Sequence, residues 1–255
     1  MKTKQNGIFA ALVASTMLLG TDVSLRASET DDRIVTTANN SYVFKTYLKG
    51  DSVKTESNNG VVTLTGTVSS DSHKLLAQHT ASNLPGVSSV DNLLKIEGEP
   101  APANSDTWLI LKVKSVLMFH RDVSATATEV LAQDGAIILR GEAANMAQKE
   151  LTTEYANDVE GVKSVKNEMT VTAQSGDHKE TLIEKVDDAS ITAFIKVSLL
   201  AHRSTSMLNT EIKTTDGEVT ITGVAKNTAE RSLVTKLVTD ISGVTSVVNH
   251  MTVQN

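Results

Sequence analysis

No cysteine occurs among the 255 residues, so neither a disulfide framework nor a lipid-modified cysteine can contribute to this chain's stability or attachment. Positive charge is not in excess either: 24 Lys and Arg stand against 30 Asp and Glu, for a formal charge of −6. General nucleic-acid binding needs a basic footprint to displace counterions, and this balance argues against it. Long apolar runs are missing. The apolar-dominated stretch from Ile8 to Leu19 has 12 residues, whereas a membrane span takes about 20. Catalytic signatures are missing too: no Gly-x-Ser-x-Gly elbow, no His-Glu-x-x-His, no phosphate-binding glycine loop and no cysteine nucleophile. The expectation is a non-enzymatic protein with no catalytic residue, cofactor or metal.

What the chain does have at its start is the order of a secretory signal. Lys2 and Lys4 precede the apolar stretch, then Gly20, a short polar segment and the small residue Ala27. Positive start, short apolar core and small residue predict a signal peptide over residues 1–27, cleaved near Ala27, and hence a periplasmic protein. Cleavage there removes Lys2, Lys4, Arg26 and Asp22, which takes the formal charge from −6 to −8.

The remainder repeats one unit three times. Gly60, Gly66 and Gly86, then Gly135, Gly141 and Gly161, then Gly217, Gly223 and Gly243 recur in one frame, the second 6 and the third 26 residues after the first. Repetition at fixed spacing sets the architecture before any local assignment. Around this frame, Leu109, Val113 and Leu117, and Ile191, Ile195 and Leu199, fall four apart on one helix face. Asp106 and Asp188 are placed to cap those helices. In the first copy the alignment reads Thr37, Asn40, Phe44 and Leu48, a weaker helix with six residues missing before Gly60. Alternating Val62 and Leu64, Ile137 and Leu139, Val219 and Ile221 predict the second strand of a hairpin. Gly66, Gly141 and Gly223 follow on the same face and predict close helix packing or a bulge. A second helix is expected to stop at Gly86, Gly161 and Gly243, and a last strand to run parallel to the second. The fold class is α+β: three tandem α-β-β-α-β modules at 32–98, 105–173 and 186–254, each two helices on a three-stranded mixed sheet, small enough for mutual support to matter.

The Gly-x-Val-x-Leu-x-Gly strand and the Gly-Val-x-x-Val-x-Asn of the last strand resemble the BON domain, a bacterial module named for an osmotically induced periplasmic protein and nodulation proteins. That resemblance implies an envelope location, no enzymatic activity, and one of two roles. The first is binding phospholipid or membrane surfaces in envelope or osmotic stress, and the second is a periplasmic chaperone role as a holdase for unfolded proteins. An interaction module within envelope assemblies is the third reading. The partners expected are therefore a phospholipid surface or envelope proteins, with no nucleic acid and no oligomeric state predicted.

Two groups of residues stand out as contacts. His120-Arg121 and His202-Arg203 occupy equivalent positions just past the first helices. They are expected either to favour the carbonyl end of that helix or to form a small basic site for a lipid phosphate. Trp108, Met118 and Phe119 add large apolar groups beyond the inward stripe, suited to a neighbouring module or a membrane interface. Asn92, Asn167 and Asn249 recur in the last strand, where asparagine is disfavoured unless it satisfies backbone groups at a bend. The linker from Gly98 to Ser105 carries Pro100 and Pro102, and that from Gln174 to Asp187 is longer and is expected to become helical near Leu182 to Val186. Modules one and two are expected to sit closer than two and three.

Overall fold

The computed structural model describes residues 21–99, 101–172, 185–205 and 210–254, with side chains from residue 28. The first module comprises helix α1 (Thr21–Asn40), a π-helical turn (Val43–Tyr47), β1 (Ser52–Asn58), β2 (Val61–Val68), α2 (Asp71–Ser82), β3 (Ser89–Asn92) and β4 (Lys95–Ile96). The second comprises α3 (Asp106–Phe119), β5 (Thr128–Gln133), β6 (Ala136–Ala143), α4 (Met146–Asp158), β7 (Ser164–Asn167) and β8 (Thr170–Val171). The third repeats this as α5 (Asp188–Ala201), β9 (Thr210–Thr215), β10 (Glu218–Ala225), α6 (Thr228–Thr239), β11 (Ser246–Asn249) and β12 (Thr252–Val253). Each module has its own mixed sheet: the first two strands pair antiparallel, and the two short final strands both lie parallel to the middle one. The α+β reading and the threefold unit hold.

The hairpins show why the first glycine recurs. Asn59 and Gly60 both take positive φ, 52° and 79°, as do Asp134 with Gly135 and Asp216 with Gly217. Two central residues of this kind match the right-handed twist of the flanking strands. In modules two and three the aspartate at the head of the first helix grips the turn. Asp106 Oδ2 and Oδ1 accept from the N–H groups of Asp134 and Gly135, both at 2.9 Å, and Asp188 does the same for Asp216 and Gly217. The helix caps are instead Ser105 and Asp187, one residue earlier. In the first module the gripping residue is Asp31, whose carboxylate holds Asn59 and Gly60. The spacing from Asp31 to Gly60 equals that from Asp106 to Gly135, so no residues are missing from the first copy, and its inward stripe begins at Ile34 and Ala38.

The second glycine answers to its hairpin neighbour, not to a helix. A Cβ on Gly66 would stand 1.8 Å from the Ser52 carbonyl oxygen, and one on Gly141 would stand 2.0 Å from that of Ala127. The third glycine is no helix cap either: α2, α4 and α6 end at Ser82, Asp158 and Thr239, and at Gly161 a Cβ would meet Leu109 of the passing first helix at 3.0 Å. The recurrent asparagines stitch the broken last strand to the second helix. Asn167 donates to Lys149 O and Thr153 Oγ1 and accepts from Met169 N, and Asn92 and Asn249 repeat the pattern.

The modules share one apolar interior. Its centre is α5, buried at 11 of its 14 residues and packed against α2 and α3 as well as its own sheet. A helix apolar on nearly every side belongs inside a core. Contrary to the expectation drawn from the linkers, module one packs chiefly on module three, through α2 and α5, and touches module two least. The longer linker lies mostly outside the described residues, and its expected helical stretch is described only from Lys185, where no helix is present.

The odd first helix has a cause in the same place. The N–H of Tyr42 leaves the helical ladder to donate to Asp187 Oδ2 at 2.7 Å, and that of Val43 donates to Ser190 Oγ at 3.1 Å. The ladder reforms as a π turn, with Leu48 N donating to Val43 O at 3.0 Å. Thus the start of α5 redirects the end of α1.

Candidate functional site

Two places in the molecule concentrate chemistry: the module junction and a groove beside it. The junction collects most of the chain's few aromatic rings. Phe119 of module two stacks on Phe194 of module three at 5.1 Å, and Tyr47 and Tyr42 of module one pack edge-on to Phe194 at 5.1 and 6.2 Å. Each such pair contributes about 0.5–1.5 kcal/mol beyond its buried area.

Modules two and three meet there with pseudo-twofold symmetry. Arg121 N donates to Asp240 O and Arg203 N to Asp158 O, both at 2.9 Å, while Ser242 N donates to Phe119 O and Glu160 N to Ala201 O, at 2.9 and 3.1 Å. Backbone bridges join His120 to Ile241 and His202 to Val159 across the same boundary. Both histidines are only 2% exposed and lie with ring centroids 6.0 Å apart. His120 stacks on Tyr155 at 4.0 Å, and burial, with the charge of His202 second, lowers its pKa to about 3. His202 Nδ1 lies 2.9 Å from Asp158 Oδ2. Burial pushes the Asp158 carboxyl up, but hydrogen bonds from His202 and Ser204 outweigh it and leave it low.

Arg121 does act on a helix end, but on the neighbour's. Its guanidinium donates to the carbonyl oxygens of Thr239, Ile241 and Val244, the last two at 3.1 and 2.8 Å, just past α6. Arg203 is looser, 3.8 Å from Asp158 and half-exposed. The pairing is asymmetric in a second way. Where Ser204 donates to Asp158, its counterpart Asp122 shares a hydrogen bond with Asp240, which also accepts from Tyr155 Oη. Burial first, then Asp122, raise Asp240 to about 7, with Arg121 opposing. An open basic anion site at the two His-Arg pairs is therefore not what the fold builds: His120, His202 and Phe119 are interior, and Arg121 is committed to carbonyl oxygens.

Trp108 and Met118 remain accessible, and they line a groove. On α3 a second stripe, Trp108, Leu111, Ser115 and Met118, runs outside the inward one. It faces α2 across a gap with α5 beneath. Two depressions of about 320 and 300 Å³ share Ser72, Leu75 and Lys112, so they form one trough, and a third of about 430 Å³ opens beside Met118 and Tyr47. Lys112 Nζ sits 4.2 Å over the Trp108 ring and 3.3 Å from Glu160 Oε2. Asp71, Glu97 and Glu99 stand at one mouth. Leu75, Leu111 and these carboxylates were not singled out from the sequence, although the spacing of Leu111 between Trp108 and Met118 marks the stripe.

A serine, histidine and aspartate do come together near the groove, but not as a catalytic relay. Asp51 Oδ2 and Ser69 Oγ both address His73 Nδ1, at 2.6 and 3.0 Å, whereas a nucleophile and its orienting acid need opposite ring nitrogens. Among the described residues no cluster of three or more metal-ligating side chains occurs.

Three α-β-β-α-β units are thus docked around one helix, with an apolar groove between two of them. The chain belongs to the BON domain family, whose model matches residues 30–98, 105–173 and 187–255. It is similar to Osmotically-inducible protein Y of Escherichia coli, 29% identical over 147 residues that make up 57% of this chain and 71% of that protein. Outer membrane lipoprotein DolP of Haemophilus influenzae is 31% identical over 115 residues, 44% of this chain and 59% of that one. The 21 kDa hemolysin of Actinobacillus pleuropneumoniae is 30% identical over 110 residues, 42% of this chain and 56% of that one. Among solved structures, CdsD of the Chlamydia trachomatis type III secretion system aligns over 81% of this chain and 88% of that one, at 16% identity and a TM-score of 0.24.

Proposed function

We propose that this is an exported, non-enzymatic protein of the bacterial envelope that holds apolar segments of other envelope polypeptides in the α2–α3 groove during osmotic or envelope stress. The basic start and short apolar core of residues 2–19 support export, with cleavage near Ala27. The names of two relatives, one osmotically inducible and one an outer membrane lipoprotein, support the setting. No helix among the described residues is long and apolar enough to cross a membrane. The observation that carries the reading is the groove itself, an apolar trough between two modules that leaves Trp108, Leu75 and Leu111 without full cover.

Binding to a phospholipid surface is the second reading, favoured by Met118 and Leu111, each 40% exposed on α3. One pair of assays separates the two. The chain beginning after Ala27 is mixed with an aggregating client, and separately co-sedimented with anionic and zwitterionic vesicles. Suppressed aggregation without pelleting is expected. Pelleting with anionic vesicles that survives moderate salt, with no suppression, would assign the surface to lipid.

A further inference from the structure

We propose that the α2–α3 groove is a docking site for a basic amphipathic polypeptide segment, whose apolar face enters the trough and whose Lys or Arg residues meet its acidic mouth. This rests on the polypeptide-holding reading above and adds the charge and shape of the partner. Both α2 and α3 rest on α5, yet they barely touch each other, so a gap stays open with Leu75 on one wall, Trp108 and Leu111 on the other, and Val197 and Leu200 below. An amphipathic helix laid in such a gap would complete a small bundle, the usual way an apolar groove takes a peptide.

Charge at the mouth selects the segment. Asp71, Glu97 and Glu99 border the trough, and none of them enters an ion pair among the described residues. Among the described residues lining this mouth the one cation, Lys112, is already engaged by Glu160 and by the face of Trp108. The mouth is thus net negative. It attracts cations and repels anionic headgroups over about a Debye length, ~10 Å at moderate salt.

Trp108 is the only tryptophan of the chain, so its emission reports occupancy directly. The full chain is titrated with a short helical Leu/Ala peptide carrying Lys at its ends, with the same peptide carrying Glu, and with anionic phosphatidylglycerol vesicles. The Lys peptide is expected to give a saturable blue shift at a Kd about tenfold or more below that of the Glu peptide. The double reversal Glu97→Lys with Glu99→Lys, on exposed positions, is expected to invert that order without moving the melting temperature. Equal Kd values, an order unchanged by the reversal, no saturable shift, or a shift with vesicles alone would each overturn the proposal. If client aggregation is still suppressed while Trp108 stays silent, the protein holds clients elsewhere and the groove is ruled out as the site; if both vanish, the holding function itself is wrong.

Discussion

Arg121 and Val244 are joined across a module boundary, the guanidinium of one lying 2.8 Å from the carbonyl oxygen of the other. The same guanidinium also serves Ile241 and Thr239, so one side chain closes the carbonyl end of a helix in another module. All three carbonyl oxygens surround one terminal nitrogen, Nη2, which stands farther out on its side chain than a lysine ammonium reaches. Arg121→Ala is expected to cost about 1.5–3 kcal/mol, the range for hydrogen bonds from a charged group. Arg121→Lys should recover only part of it. Arg203→Ala, by contrast, should cost less than about 1 kcal/mol, because its guanidinium is half-exposed and makes one long ion pair. Denaturant titrations of the three variants check the order; equal losses at Arg121 and Arg203 contradict it.

The Asp122 and Asp240 pair sets a pH dependence. Asp240 titrates near 7 in the folded protein but near 3.9 in an unfolded chain. Between those values the folded state holds a proton that the unfolded state has released. The contribution is therefore fully present below about 3.9 and lost as pH rises through about 7. His120 has the opposite slope. It titrates near 3 when folded and near 6.5 when unfolded, so its contribution is present above about 6.5 and lost as pH falls toward 3. The two oppose each other in the total, and a difference curve separates them. Stability of the native chain minus that of Asp240→Asn, from urea unfolding across this range, is expected to fall with rising pH. A flat difference would remove the carboxyl pair from the account.

Asp106 holds the β5–β6 hairpin through two backbone N–H groups. Asp106→Ala leaves both donors at a tight turn without their acceptor and is expected to cost about 1–3 kcal/mol. Amide hydrogen exchange should show the loss first at Asp134 and Gly135. Unchanged exchange there would mean that the grip is incidental.

Gly141→Ala puts a methyl group 2.0 Å from the Ala127 carbonyl oxygen on a backbone with φ of 118°. Neither the contact nor the dihedral can relax without breaking the pairing of β5 with β6. A loss well above about 1 kcal/mol is expected, read as a lowered melting temperature.

Much of this was legible in the chain because each module repeats its local instructions. The Asn-Gly and Asp-Gly turns and the alternating strand residues act within a few residues of one another, so spacing alone exposes them, whereas the asparagines, with partners 14 and 18 residues away on the second helix, stand out by recurring in one frame. The first copy misled for a physical reason. Its helix is rerouted at Tyr42 by Asp187 and Ser190, partners 145 and 147 residues away, and aligning on Phe44 and Leu48 shifted the frame from Asp31 to Thr37. Module docking was illegible for the same reason. Linker length favoured modules one and two as neighbours, whereas burial of α5 needs α2 over it, and no local pattern records that choice. The His-Arg pairs were correctly seen as equivalent, since a pseudo-twofold contact requires equivalent residues, but repetition alone does not tell a buried contact from an exposed one.

The proposed holding function is assigned to the apolar groove and not to exposed apolar surface in general. It is tested most directly by measuring suppression of client aggregation with Leu111→Asp, inside the groove, beside Leu93→Asp, on a residue 60% exposed and outside it. The account predicts that the first variant loses suppression while the second retains it, with both folded by circular dichroism. Equal activity in the two variants would contradict it.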